Sequence, residues 1–311
     1  MKFVMLGSGA VGSYFGAQLQ KSGQEVVFVA RGKQLQALRD QGLTVRAPEG
    51  DTHLPNVSAT HDLTAIGQAD TVLISVKTWQ LDDILPKLLA LRGKDTRFLT
   101  LQNGVEAHHI VAKVVGIEQT LGGLVRGFFE MEAPGVVRHV GITPTINFGQ
   151  IDGQRSPQAE RLMHALRDAG IQSELAADVE VALWEKFMVV TATGGVSTVA
   201  RSTIGEVRDY EPTLQMLRDV MGEIAAVGKA RGVRMSEDVV ERVMIFAANI
   251  PHGATTSMYR DIVNGLPSEL DAQTGAVVRL GREASVITPI NQFIYDSLIL
   301  QEKRAHGASA T

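Results

Sequence analysis

Through the first half of the chain, short apolar runs alternate with longer amphipathic stretches. The runs KFVML (2–6), EVVFV (25–29), TVLISV (71–76) and RFLTL (97–101) have strand length and are rich in β-branched residues. Between them, AVGSYFGAQLQKSG (10–23) and WQLDDILPKLLALRG (79–93) carry apolar residues at helical spacing and close on glycine. Strands buried on both faces, alternating with helices, predict a parallel, doubly wound α/β sheet. A strand-like patch, GVVRHVGITPTINFGQ (135–150), is expected to add strands at the sheet edge. Near residue 176 the period changes. Helical patterns then occupy roughly 178–193, 212–231, 236–249, 267–284 and 289–302, and strand patterns cease. The expected organisation is an α/β domain over 1–176 and an all-helical domain over 177–311. The cleft between two such domains is the default place for a ligand. The last residues, KRAHGASAT, are small and polar and are expected to fray.

A length of 311 residues suits two domains. A formal charge of −4 gives no basic footprint for nucleic acid. The absence of cysteine excludes disulfides, thiolate catalysis and Cys-based metal centres, and it accords with a reducing, cytoplasmic setting. No apolar run approaches the roughly 18 residues of a membrane span.

Candidate chemistry begins at GSGAVG, which puts Gly7, Gly9 and Gly12 in a G-x-G-x-x-G pattern after a predicted strand and at the opening of a predicted helix. In a Rossmann-type unit Gly7 allows the tight turn, Gly9 lets the backbone approach a pyrophosphate, and Gly12 allows helix and strand to pack closely. The loop residues Ser8, Ala10 and Val11 share the cofactor-binding assignment. The second strand ends in Ala30-Arg31 rather than in the acidic residue that would bind a ribose 2′-hydroxyl. A guanidinium there suits a 2′-phosphate, so NADP(H) is expected over NAD(H).

In LWEKFMVVTATGG (183–195), a helix would set Lys186 beside Ala182, Leu183, Val189 and Val190, all apolar. One reading is a lysine that snorkels from a half-buried helix. The other is a proton donor whose charge state is tuned by apolar surroundings, with a partner from elsewhere in the helical half. Glu269, placed by the pattern near a helix start, is a candidate partner, although acidic residues are common in a first helical turn for dipole reasons.

The ordered set GSGAVG, VKTWQ (76–80), QNGV (102–105), APGVVRHVG (133–141), LWEKF (183–187), SMYRDI (257–262), SELD (268–271), GAVVRLG (275–281) and TPIN (288–291) resembles the ketopantoate reductase family, the NADP-dependent 2-dehydropantoate 2-reductases. The resemblance runs from residue 3 to about 300. It implies a Rossmann domain followed by a helical one, and NADPH-dependent reduction of a 2-oxo acid, ketopantoate to pantoate in pantothenate biosynthesis being the family reaction. By the same resemblance, Lys186 is the proton donor and Glu269 its partner. Lys77 and Asn103 reach toward the nicotinamide, and Ser257 binds substrate along with Asn103, Lys186 and Glu269. A soluble cytoplasmic enzyme acting on a small molecule follows, without nucleic acid or membrane, and a homodimer is left open.

The sequence departs from the family where asparagines would line the substrate pocket, since Val190, Gly194 and Ala254 stand there. A pocket that binds a hydroxyl selects strongly because its polar groups are otherwise unpaired, and these substitutions relax that selection. Thr191, Thr193, Thr255 and Thr256 are available replacements, or plain helix and cap threonines. The alternatives are therefore a reductase of another 2-oxo acid or carbonyl compound, or an NADP-binding sensor without turnover. No metal site is expected. His108 and His109 diverge by about 100° on a helix, Asp82-Asp83 reads as a solvated face, and His139 reads as structural.

Overall fold

The computed structural model describes residues 1–307 and forms two compact units. One comprises Met1–Gln102 and Glu106–Val179; the other comprises Asn103–Val105 and the chain from Glu180 onward.

The first unit is a mixed sheet flanked by helices. Its strands are β1 (Lys2–Leu6), β2 (Glu25–Val29), β3 (Leu43–Arg46), β4 (Thr52–Leu54), β5 (Ser58–Thr60), β6 (Thr71–Ile74), β7 (Arg97–Thr100), β8 (Thr120–Ala133), β9 (Val136–Gln150) and β10 (Gln172–Leu175). Its helices are α1 (Ala10–Lys21), α2 (Gly32–Gln41), α3 (Leu81–Ile84), α4 (Ala107–Val115) and α5 (Pro157–Asp168). The sheet order is β4-β3-β9-β8-β7-β6-β1-β2-β5, with β10 also paired to β9. Strands β5, β2, β1, β6, β7 and β8 run parallel. The chain moves from β1 to β2 on one side and to β6 and β7 on the other. The carboxyl ends of β1 and β6 therefore form a topological switch point, where open α/β sheets hold their ligands.

Two sequence expectations change here. The patch at 135–150 is a single long strand, β9, and it is not at the edge. It pairs antiparallel with β8 on one side and parallel with β3 and β10 on the other. The partner β8 escapes the pattern because its glycines and charged residues interrupt the apolar alternation that marks a strand. The helix expected over 79–93 is broken into a 3-10 turn (Thr78–Gln80), α3 and a 3-10 segment (Leu85–Leu91). Pro86 lacks the N–H that a continuous α-helix needs.

The second unit contains only helices among its described residues: α6 (Val179–Ala200, entering from the first unit), α7 (Ile204–Asp209), α8 (Glu211–Ala230), α9 (Val239–Ala248), α10 (Ser257–Val263), α11 (Thr274–Glu283) and α12 (Pro289–Ala305). Residues 191–198 of α6 are all buried, as expected of a helix at the centre of a bundle. Trp184, Phe187 and Met188 of α6 pack with Leu217, Met221 and Ile224 of α8. The helix expected from 267 starts only at Thr274, because residues 269–273 form turns instead. Of the tail expected to fray, residues 303–305 are helical, since α12 continues to Ala305, while residues 308–311 lie outside the described residues. No helix among the described residues is long and apolar enough to cross a membrane.

Packing of α6 on α8 depends on Gly228. A Cβ there would stand 2.2 Å from Met235 Cε and 2.9 Å from Trp184 Cε3. Gly228→Ala is expected to destabilise the fold by about 1–3 kcal/mol through overpacking, measured as a lowered midpoint of thermal or urea unfolding.

Candidate active site

The glycine loop is held by backbone constraints that only glycine meets at two positions. Gly7 has φ +104°, and a Cβ on it would lie 2.6 Å from Val76 N. At Gly12 a Cβ would lie 2.0 Å from Gly7 O and 2.6 Å from Ser75 Oγ. Ser75, just past β6, donates from Oγ to Gly7 O at 2.7 Å, which ties the loop across the switch point. Gly9 differs, for nothing stands within 4 Å of the place its Cβ would take. Gly9 is also the N-cap of α1, with no side-chain cap, and the first turn holds no acidic residue. Ala10 and Val11 open that helix. A helix N-terminus with no side-chain cap and no first-turn carboxylate, beside a glycine with room at its Cβ position, fits a pyrophosphate.

Ser8 is buried, and both its N and its Oγ donate to Val29 O at 3.1 Å. Its hydroxyl thus anchors the loop to β2. Arg31 follows β2 as the exposed N-cap of α2. Lys77 follows β6, with Nζ 5.6 Å from the centroid of the Trp79 ring. Sequence reading overlooked Gln34. Its Nε2 donates to Ser8 O at 2.9 Å, and its Oε1 accepts from Gly135 N at 2.8 Å. A polar residue on the inner side of α2 was the available signal.

In the second unit, three predicted residues meet. Lys186 Nζ donates to Asn103 Oδ1 at 3.0 Å, and Asn103 Nδ2 donates to Glu269 Oε2 at 3.0 Å. The Asn103 amide therefore bridges ammonium and carboxylate. Lys186 and Asn103 are half-buried, and Glu269 is 6% exposed. Asn103 reaches this place through the turn at Gly104, whose φ is +111° and where a Cβ would stand 3.1 Å from Ala272 O. Val105 then enters the helical core. Sequence reading grouped Asn103 with the cofactor and substrate. Its amide bridge was not legible there, because Asn103 precedes Glu269 by 166 positions.

Ser257 is the exposed first residue of α10. Of the positions that depart from the family, Val190 and Gly194 follow Lys186 at one-turn intervals on α6, and Ala254 precedes α10. A Cβ on Gly194 would meet Met258 Cε at 3.0 Å, Thr256 Oγ1 at 3.4 Å and Gln273 Oε1 at 3.5 Å. Neighbouring side chains thus already border that space. The threonines have local duties. Thr193 Oγ1 donates to Val189 O at 2.7 Å, Thr256 Oγ1 caps α10 by accepting from Tyr259 N at 3.1 Å, and Thr255 Oγ1 accepts from Arg260 Nη1 at 3.2 Å. The Thr191 hydroxyl is buried without a hydrogen-bond partner.

Comparison with known proteins bears on the family and the fold. Residues 3–153 match the family model described as ketopantoate reductase PanE/ApbA, and residues 178–302 match that of its C-terminal part. A 2-dehydropantoate 2-reductase of Mesorhizobium japonicum is 28% identical over 310 residues, covering 93% of this chain and 94% of its own. The crystal structure of a PanE/ApbA family ketopantoate reductase from Ralstonia eutropha JMP134 superposes with a TM-score of 0.89 at 30% identity, covering 98% of this chain and all of that one. D-mandelate dehydrogenase in a ternary structure with NADH and anilino(oxo)acetate shares the fold, with a TM-score of 0.89 at 23% identity over 98% of this chain and 99% of its own.

Gly12→Ala is expected to weaken dinucleotide binding by more than about 10-fold, because its Cβ forces the loop away from the helix N-terminus. Fluorescence titration with NADH and with NADPH measures the loss, and circular dichroism checks that the fold persists.

Proposed function

Because the chain belongs to the ketopantoate reductase PanE/ApbA family, we propose that it reduces a 2-oxo acid to the 2-hydroxy acid with NADPH, and that Lys186 supplies the proton. The observation that carries this reading is the array in which Asn103 links Lys186 Nζ to Glu269. When bound, a dihydronicotinamide supplies hydride to the substrate's carbonyl carbon. Negative charge then grows on the carbonyl oxygen, and an ammonium aimed at that oxygen stabilises it and transfers a proton. Lys186 Nζ is an ammonium donor that Asn103 Oδ1 holds by a hydrogen bond. Asn103 orients the lysine, and Glu269 holds the Asn103 amide so that its carbonyl oxygen, not its NH₂, faces Lys186. Ser257 donates to the substrate.

Gly7, Ser8, Gly9, Ala10, Val11 and Gly12 hold the pyrophosphate, and Lys77 lies toward the nicotinamide end. Arg31 selects the 2′-phosphate. Its place directly after β2 and its exposure support this role. The first unit is thus the cofactor domain and the second carries the proton donor. A protein without cysteine suits the cytoplasm.

A second reading concerns the substrate. Val190, Gly194 and Ala254 present no side-chain hydrogen-bonding group, which favours a bulkier or less hydroxylated 2-oxo acid over ketopantoate.

An NADPH-oxidation assay over a broad panel of 2-oxo acids, ketopantoate included, tests both readings. Lys186→Ala is expected to lower kcat by about 10²–10⁴-fold with NADPH binding retained. Binding without turnover on any member would instead indicate a sensor. Arg31→Asp is expected to weaken NADPH by roughly 10- to 100-fold and to leave NADH nearly unchanged. Equal losses for the two cofactors remove Arg31 from the phosphate site.

A further inference from the structure

Glu302 lies on α12, and the reaction described above makes no use of it, yet it is only 5% exposed. Its carboxylate accepts from Ser268 N with both oxygens, at 2.9 and 3.2 Å, and from Ser268 Oγ at 2.5 Å. Ser268, itself 2% exposed, accepts in turn from Leu270 N at 3.2 Å. A hydroxyl has one proton to give, and here it goes to Glu302. The backbone amides on both sides of Glu269 are therefore tied, directly or through one hydroxyl, to the same buried carboxylate.

The same helix grips this segment a second time. Tyr295 Oη donates to Asp271 Oδ1 at 2.5 Å. Burial, reinforced by that bond, raises the phenol above its ordinary range, so it remains a donor. Glu269 O also accepts from Gln273 N at 3.0 Å. The segment before α11 lies outside regular helix, where a loop is ordinarily mobile. Proton delivery tolerates little displacement. The Asn103 amide that accepts from Lys186 Nζ is itself bound to Glu269, so its place depends on where Glu269 stands.

We propose that Glu302 is a positioning residue for the reduction. Through Ser268 it sets the place and direction of Glu269, and so of the Asn103 amide that holds Lys186 Nζ. The proposal rests on the proton-donor role of Lys186 given above.

The test compares Glu302→Ala, Glu302→Gln, Ser268→Ala, Ser268→Thr and Lys186→Ala in the full chain, with rates expressed per NADPH-binding site so that unfolded protein is not counted. Glu302→Ala and Ser268→Ala are expected to lower kcat on the order of 10- to 100-fold. KM for the 2-oxo acid and Kd for NADPH should stay within about 2-fold. The solvent deuterium isotope effect on kcat should rise as proton delivery becomes limiting. Glu302→Gln, which keeps an acceptor oxygen for Ser268, and Ser268→Thr, which keeps the hydroxyl, should recover most of the loss. If Glu302→Ala does not fold, the Ser268 pair decides. An unchanged kcat per site in Ser268→Ala, or a loss with no change in isotope effect, overturns the positioning role while Lys186→Ala stays inactive. A fully active Lys186→Ala overturns the proton-donor reading and the proposal with it.

Discussion

A carboxylate taken out of water must find donors, and Glu269 is such a carboxylate. Asn103 supplies one, and the same amide offers its oxygen to Lys186. An amide is suited to this place because it donates from one end and accepts at the other. The bond from Glu269 decides which end faces the lysine. A direct ion pair would hold the ammonium by charge alone, with less control of direction. The turn at Gly104 and the entry of Val105 into the helical core flank Asn103, and the hydrogen bonds of Ser268 flank Glu269.

The sheet unit obeys a different constraint, close approach of backbone to backbone. Gly12 sits where a side chain would collide with Gly7 O, and Ser75 binds that same oxygen. The loop is thus clamped from α1 and from β6 together. Ser8 and Gln34 add bonds to β2 and to the turn before β9. The first turn of α1 carries no side-chain cap, the condition in which a helix N-terminus can take an anion.

Substrate choice is a separate matter from reaction type. The hydrogen-bonded array lies on Asn103, Lys186 and Glu269, whereas the departures from the family pattern lie farther along α6 and ahead of α10. Gly194 is bordered by Met258, Thr256 and Gln273. A flexible thioether and an amide from other segments thus shape a space that a side chain from α6 would otherwise take. One helix thus carries both the bridged lysine and two of the altered positions.

Sequence by itself determined the local features. Apolar runs of strand length gave β1, β2, β6 and β7, the G-x-G-x-x-G spacing gave the turn into α1, and the 3.6-residue period gave α6, α8, α9 and α12. These are legible because each depends on neighbours within a few residues. The unusual apolar setting of Lys186 drew attention to it for the same reason. Tertiary structure decided what depends on distant partners. β8 forms despite its glycines because β7 and β9 supply its hydrogen bonds. Ser268 N, in the chain before α11, is bound by Glu302, 34 residues later. Asn103 bridges Lys186 and Glu269 from 83 and 166 positions away. A local pattern carries no information about such pairings, since the donor and acceptor groups meet only after the chain has packed.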